Sequence, residues 1–172
     1  SHQQLRILVS VDQCDDATAG ICHDYARQDA RIEVFVQPQR LGWARNTNFL
    51  LDRVATEFFF LYFHDDVIEP NYVERMLQAL QERPDVLSVH CDMGHFGASQ
   101  HVSRGLDYPG SAANRLGLFL LAPERGSPLR SLTRAIALDA GLRLPSQAVE
   151  GLWANEPYLM QLLAMGPAMR VP

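Results

Sequence analysis

Residues 57–80 read EFFFLYFHDDVIEPNYVERMLQAL, and this stretch decides the fold. After Glu57, residues 58–63 are all apolar or aromatic, which is typical of a strand buried on both faces. Two adjacent carboxylates, Asp65 and Asp66, follow this strand almost directly. Beyond Pro70, apolar residues recur at helical spacing, which predicts an amphipathic helix. A buried strand that leads through acidic residues into such a helix indicates a layered α/β fold.

The same alternation of strand and helix extends over the first half of the chain. Strands are predicted at 5–11, 31–36, 57–63 and 86–90, and helices at 17–28, 43–55 and 71–83. This order predicts an α/β fold with a mostly parallel sheet and helices on both faces. Residues 92–110 are polar and glycine-rich, so we predict a long loop there. A late helix is predicted at 158–165, where Gly166 and a proline end it.

Composition restricts the class of protein. The length of 172 residues fits a single domain over 1–172. The net charge of -5 argues against a nucleic-acid partner, because phosphate backbones are bound mainly by clustered cationic side chains. The three cysteines form no metal-binding or disulfide pattern, so we expect a reducing, cytoplasmic location, with the inner face of the membrane as a further option. No apolar run has the length of a membrane-spanning helix.

The paired acids are the strongest candidates for a functional site. Ligands of open α/β sheets bind beyond the carboxyl ends of the strands, where Asp65 and Asp66 are predicted to lie. Adjacent carboxylates repel each other unless a positive charge neutralises them, and a divalent cation shared with a diphosphate would do so. Asp12 ends another predicted strand, and Arg45 lies near a helix start where a guanidinium can hold phosphate. Each acid also has an ordinary reading as a helix cap, and Arg45 as a solvated side chain.

Three motifs in order resemble the family 2 glycosyltransferases. LRILVSVDQCDDAT at 5–18 resembles the family's strand and loop of the form VDDGSxDxT. RLGWARNTNFLL at 40–51 resembles its GxxxARN helix start. EFFFLYFHDDVIEPNYVERML at 57–77 resembles its strand with a DXD-type acidic motif. The similarity is weaker beyond residue 80, in 129–145 and 158–166.

The resemblance implies a GT-A fold and transfer of a sugar from a UDP- or GDP-sugar, usually with inversion, to a glycan, lipid or protein acceptor. It assigns Asp12 to the nucleotide base and Arg45 to the donor. It places Asp65 near the ribose or the metal, and makes Asp66 the ligand of Mn²⁺ or Mg²⁺. Residues 1–91 would form the nucleotide-sugar half and residues 92–172 the acceptor half.

The sequence departs from the family pattern in two places. The family opens with a further strand and helix, so we expect a rearranged sheet or a strand supplied by a partner chain, as in a homo-oligomer. The family's catalytic base is the Asp of a Glu-Asp pair before the late helix, and that position falls on Asn155. An amide is not a general base, so Glu156 or Glu150 would have to take this role.

Two other functions remain open on the sequence. The missing strand and Asn155 are compatible with a non-catalytic domain that binds sugar nucleotides, or with a truncated, inert domain. A metal-dependent hydrolase would gather His90, Asp92, His95 and His101 around a metal ion, although their spacing matches no ligand motif. The absence of GxGxxG, P-loop and GxSxG motifs disfavours dehydrogenases, NTPases and α/β-hydrolases.

Overall fold

The computed structural model describes residues 2–98, 100–122, 127–146 and 154–172. The chain divides into two compact units. One, here called the parallel unit, takes in the described residues of His2–Ala55 and Arg143–Ala154. The other, here called the mixed unit, takes in those of Thr56–Leu142 and Asn155–Pro172. This division does not follow the expected halves 1–91 and 92–172, because strands from the second half pair with strands from the first.

The parallel unit is a strand-helix repeat. Its elements are β1 (Ile7–Val11), α1 (Thr18–Gln28), β2 (Ile32–Val36) and α2 (Trp43–Leu51). The two strands pair in parallel, with Ile7 opposite Ile32 and Val11 opposite Val36. A parallel pair requires a crossover connection, and α1 supplies it. The predicted order of elements is confirmed in this unit.

The mixed unit holds a four-stranded sheet and the remaining helices. Its elements are β3 (Phe58–Phe59), α3 (Tyr72–Glu82), β4 (Ser88–Cys91), β5 (Met93–Gly94), β6 (Val102–Ser103), α4 (Ala112–Leu121), a 3-10 helix (Ser127–Arg130), β7 (Leu132–Arg134), α5 (Ile136–Asp139), α6 (Asn155–Met165) and β8 (Ala168–Val171). The strand order is β3-β7-β4-β8. Strand β7 is antiparallel to both neighbours, whereas β4 and β8 are parallel.

The sheet therefore has more antiparallel pairing than the element order implied. Strand β7 lies between β3 and β4 and is antiparallel to both of them. Strand β3 pairs with β7 at Phe58 and Phe59. It is therefore shorter than the strand predicted at 57–63. Within the long loop predicted at residues 92–110, the structure has a small hairpin of β5 and β6.

The core of the mixed unit lies between α3 and the sheet. It is formed by the buried side chains of Tyr72, Met76, Leu80, Val86, Val89 and Leu132. Helix α3 supplies three of these at helical spacing, which confirms the predicted amphipathic helix. At the end of α6, a Cβ on Gly166 would lie 2.6 Å from the Cβ of Leu87, so only glycine fits there. Among the described helices, none has the length and apolar character needed to cross a membrane.

Candidate functional site

A cavity of about 730 Å³ lies in the mixed unit beyond the end of β3. Both predicted acids, Asp65 and Asp66, line it. The other lining residues come from the segment after β3, the start of α3, the segment after β4 and the 3-10 helix: Phe60, Leu61, Tyr62, Val67, Ile68, Glu69, Tyr72, Cys91, Asp92, Met93, Gly94, His95, Phe96 and Arg130. The cavity thus combines acidic, aromatic and cationic groups where the sequence predicted a ligand site.

Asp66 is held on both its side chain and its backbone. Its carboxylate accepts two hydrogen bonds from Arg130, from Nε to Oδ2 at 2.5 Å and from Nη2 to Oδ1 at 2.9 Å. The two side chains are 20% and 33% exposed, respectively. The Tyr62 hydroxyl donates to the Asp66 carbonyl at 2.7 Å, and the Asp66 N–H donates to the carbonyl of Phe63. The negative charge of Asp66 is therefore neutralised within the chain.

Arg130 is the functional candidate that the sequence did not single out. It is the last residue of the 3-10 helix, and its guanidinium carbon lies 5.3 Å from the centroid of the Phe63 ring. Its backbone carbonyl accepts a hydrogen bond from the hydroxyl of Tyr72. Burial raises the pKa of Tyr72, so this hydroxyl keeps its proton. The only sequence signal was an arginine in the weakly matching stretch 129–145, where several arginines occur.

The donor set at the cavity fits a divalent cation only in part. Asp65 is exposed and lines the cavity, so its carboxylate is accessible to a cation. Both oxygens of Asp66 already accept from Arg130. The described residues hold no group of three or more His, Cys, Asp or Glu side chains placed to bind a metal. Mg²⁺ needs only one or two carboxylates when phosphate oxygens complete its shell, so a shared site fits if the Asp66–Arg130 pair opens.

Asp92, a third acid on the cavity, is also paired. Arg170 donates to it from Nε and Nη2, both at 2.6 Å, and the N–H of Gly105 donates at 3.0 Å. The hydrogen bonds from Arg170 are the main reason that the pKa of Asp92 falls to about 2. Asp92 therefore stays ionised, and its charge is balanced by Arg170.

Among the described residues, the histidines do not form the metal centre that a hydrolase would need. His90 is fully buried on β4, and neither ring nitrogen has a hydrogen-bond partner among the described residues. The rings of His95 and His101 stack with centroids 4.0 Å apart, and His95 Nε2 lies 2.7 Å from Ser103 Oγ. Within the described part of the chain, these histidines and Asp92 do not assemble into a ligand group.

In the parallel unit, Asp12 and Arg45 both contact the turn before α2. Asp12 accepts from the N–H groups of Leu41 at 2.8 Å and Gly42 at 2.9 Å. Burial alone would raise the pKa of Asp12, but these hydrogen bonds and that from the N–H of Gln13 outweigh it and lower the pKa. Arg45 is exposed at the start of α2, and its Nε donates to the carbonyl of Leu41 at 2.9 Å. The structure thus brings these two predicted residues together through Leu41.

A polar network behind this turn was also missed by sequence reasoning. Ser10 on β1 donates to the side-chain oxygen of Asn46 at 2.5 Å and accepts from Gln37 at 2.8 Å. The Asn46 amide in turn donates to the Ser10 carbonyl at 3.1 Å. Asn46 belongs to the quoted ARN motif, so the motif pointed to this residue but did not predict its hydrogen bonds with Ser10. The network connects β1, the end of β2 and α2, and so fixes the turn that Asp12 clamps.

The candidates for a catalytic base occupy the start of α6 and the segment before it. Asn155 and Glu156 are half-buried in the first turn of α6. Neither Asn155 nor Glu156 is among the described residues that line the cavity. Glu150 lies outside the described residues. The assignment of the base to Glu156 or Glu150 therefore stays a prediction.

Two sequence comparisons relate the chain to known proteins. The sequence profile of Glycosyl transferase family 2 matches residues 1–135. The chain is 33% identical over 84 residues to a protein described as a glycosyltransferase, EpsH of Bacillus subtilis, covering 48% of this chain and 24% of EpsH. The chain thus spans about a quarter of the length of that relative.

Solved structures show the same fold. The crystal structure of S. aureus TarS 1-349 superposes with a TM-score of 0.69 at 16% identity, covering 96% of this chain and 48% of TarS. The structure of TarS 1-349 in complex with UDP-GlcNAc gives a TM-score of 0.64 at 19% identity, covering 90% of this chain and 44% of that one. These likenesses confirm the expected GT-A-like α/β fold. Since the family profile matches more than half of the sequence, this chain belongs to glycosyl transferase family 2.

Proposed function

We propose that this chain binds the donor in a glycosyltransferase that moves a sugar from a UDP- or GDP-sugar to an acceptor hydroxyl with inversion. The observation that carries the proposal is the placement of Asp65 and Asp66 on a cavity at the end of β3, in a member of this family. TarS, which shares the fold, was crystallised with UDP and with UDP-GlcNAc, and this supports a nucleoside-diphosphate ligand here. The acceptor class is a glycan, a lipid or a protein.

Asp65 and Asp66 would hold Mn²⁺ or Mg²⁺ together with the donor's diphosphate. When bound, the cation supplies positive charge that stabilises the leaving nucleoside diphosphate. The accessible carboxylate of Asp65 supports the first contact. The second requires Asp66 to release Arg130, which lies on the same cavity and carries a charge suited to phosphate.

Two assignments in the parallel unit are proposed separately. Asp12 would contact the nucleotide base, and Arg45 would contact the donor. The exposure of the Arg45 side chain at the N-terminal end of α2 supports its role, since helix N-termini favour anions. Three N–H donors already hold Asp12, so we expect it to act chiefly through the shape of the turn at Leu41 and Gly42.

The base that deprotonates the acceptor is proposed to be Glu156, with Glu150 as the alternative. Asn155 cannot take the proton, because an amide is not basic at physiological pH. Replacement of Glu156 by Gln is expected to stop transfer while donor binding persists. Retained turnover in Glu156→Gln would move the assignment to Glu150.

The proposal is tested by calorimetric titration with UDP, UDP-sugars and GDP-sugars, with Mn²⁺ and with EDTA. We expect binding that requires Mn²⁺ and that Asp66→Ala removes without unfolding the protein. Asp85→Ala is the matched control, because Asp85 also pairs with an arginine through two hydrogen bonds but does not line the cavity. Unchanged affinity in Asp66→Ala, or no binding of any nucleotide by the wild type, would overturn the proposal.

Asn155 at the expected position of the base favours a second candidate, a domain that binds sugar nucleotides without catalysis. The two candidates differ in turnover. Donor binding together with release of UDP or GDP supports the enzyme, whereas tight binding with no release in the presence of glycan, lipid and peptide acceptors supports the binding domain. Within the described part of the chain, Cys14, Cys22 and Cys91 form no disulfide, which fits a reducing compartment in either case.

A further inference from the structure

The Asp66–Arg130 pair places a fixed positive charge where the proposed function requires a metal ion. Arg130 donates through two nitrogens to the two different carboxylate oxygens of Asp66, so each oxygen already accepts a hydrogen bond from a cation. Asp66 is only 20% exposed, so solvent screens this pair less than it screens a surface ion pair. A divalent cation that binds Asp66 therefore competes with the guanidinium for the same carboxylate.

Arg130 is held so that its backbone stays in place when its side chain moves. The Tyr72 hydroxyl donates to the Arg130 carbonyl, and Tyr72 is a core residue at the start of α3 that also lines the cavity. The guanidinium itself contacts the face of Phe63, and a third of the Arg130 side chain is exposed. The hydrogen bond from Tyr72 anchors the main chain of Arg130, and the residue itself lines the cavity.

We propose that Arg130 exchanges partners when the donor binds: it neutralises Asp66 in the free protein, and it binds a phosphate oxygen of the nucleoside diphosphate once the divalent cation occupies Asp66. This inference rests on the proposed function for the identity of the ligand. A guanidinium and a diphosphate form the same two-point contact that Arg130 makes with a carboxylate, so the exchange preserves its hydrogen bonds. The exchange also removes the repulsion between two cations that would share Asp66.

The exchange predicts opposite effects of one substitution on two ligands. Without Arg130, Asp66 has no competing cation, so Arg130→Gln should bind Mn²⁺ alone more tightly, by about tenfold. The same variant has lost a phosphate contact, so its affinity for UDP at saturating Mn²⁺ should fall by about tenfold. If Arg130 only stabilised the segment around Asp66, the substitution would weaken the binding of both ligands.

The experiment titrates Mn²⁺ alone, followed by its paramagnetic resonance signal, and UDP at saturating Mn²⁺, followed by calorimetry. Wild type, Arg130→Gln, Arg130→Lys and Arg83→Gln are compared, and thermal unfolding establishes that each is folded. Arg83 pairs with Asp85 through the same two-point contact away from the cavity, so Arg83→Gln should change neither affinity. Arg130→Lys keeps the positive charge but loses the two-point contact of the guanidinium, so its UDP affinity should lie between those of wild type and Arg130→Gln.

Equal or weaker Mn²⁺ binding by Arg130→Gln would overturn the inference, and so would unchanged UDP affinity. These outcomes are separable from failure of the proposed function. If the wild type binds no nucleotide while Arg130→Gln gains Mn²⁺ affinity, the competition at Asp66 stands and the sugar-nucleotide assignment fails. If the wild type binds UDP with Mn²⁺ and Arg130→Gln does so equally well, the assignment stands and the exchange fails.

Discussion

Acidification should destabilise this protein through one buried histidine, His90. The residue is fully buried on β4, and neither ring nitrogen has a hydrogen-bond partner among the described residues. Burial lowers the pKa of His90 to about 4, because a charged imidazole would lose its hydration. The backbone of Leu106, which is near the ring but does not reach hydrogen-bond geometry, and the carboxylates of Asp107 and Asp92 act in the opposite direction, and Arg170 adds to the decrease.

The sign and size of the effect follow from the two pKa values. The unfolded chain binds a proton at His90 near pH 6.5, whereas the folded protein does so only near pH 4. Below pH 6.5 protons therefore favour the unfolded state, and the loss is complete once the pH falls below about 4. The full loss is about 3 kcal/mol, at 1.36 kcal/mol for each unit of pKa. About 2 kcal/mol is lost between about pH 7 and pH 5, which is a large share of a typical domain's stability.

Urea unfolding of wild type and His90→Leu at several pH values measures this directly. The wild type should lose stability on acidification, and His90→Leu should lose about 2 kcal/mol less between about pH 7 and pH 5. His23→Leu, a change at an exposed histidine on α1, is the control and should follow the wild type. The pKa of Asp92 is about 2, so loss of its ion pair falls outside this range. Equal pH dependence of wild type and His90→Leu would refute the reasoning.

Two further predictions concern packing in the mixed unit. Gly166→Ala places a Cβ 2.6 Å from that of Leu87 and should cost about 1–3 kcal/mol in urea unfolding, whereas Gly117→Ala in α4, with open space around the new Cβ, should be neutral or slightly stabilising. Arg115 is buried and donates to main-chain carbonyls at the end of α6, among them that of Leu163, so Arg115→Met should cost about 2–3 kcal/mol by leaving them unpaired. A thermal midpoint within error of wild type for Arg115→Met would contradict that role.

Local patterns predicted those parts of the fold that local physics controls. Helix α3 is visible in sequence because its apolar side chains repeat with the helical period and face a single core. The alternation around β1 and β2 predicted a parallel pair, since two strands joined by a helix pair in parallel in the same sheet. The acids after β3 were found for the same reason: they follow an apolar run directly.

The partners of these elements were not predictable in the same way. Strand β7 has only three residues and no periodic signal, yet it enters between β3 and β4 and makes that sheet mixed. The contact of Arg130 with Asp66 spans 64 positions in the chain, and nothing local distinguishes this arginine from its neighbours. Likewise, Asp12 was predicted to be a site residue, but its backbone partners at Leu41 and Gly42 were not predicted.

The sequence by itself determined the class of fold, the amphipathic helices and the position of the acidic pair, because each depends on residues within about one strand or helix of each other. Only the tertiary structure decided the direction of β7, the neutralisation of Asp66 by Arg130 and the burial of His90. These depend on which distant segments meet, and a short polar segment does not encode its partner in its own composition.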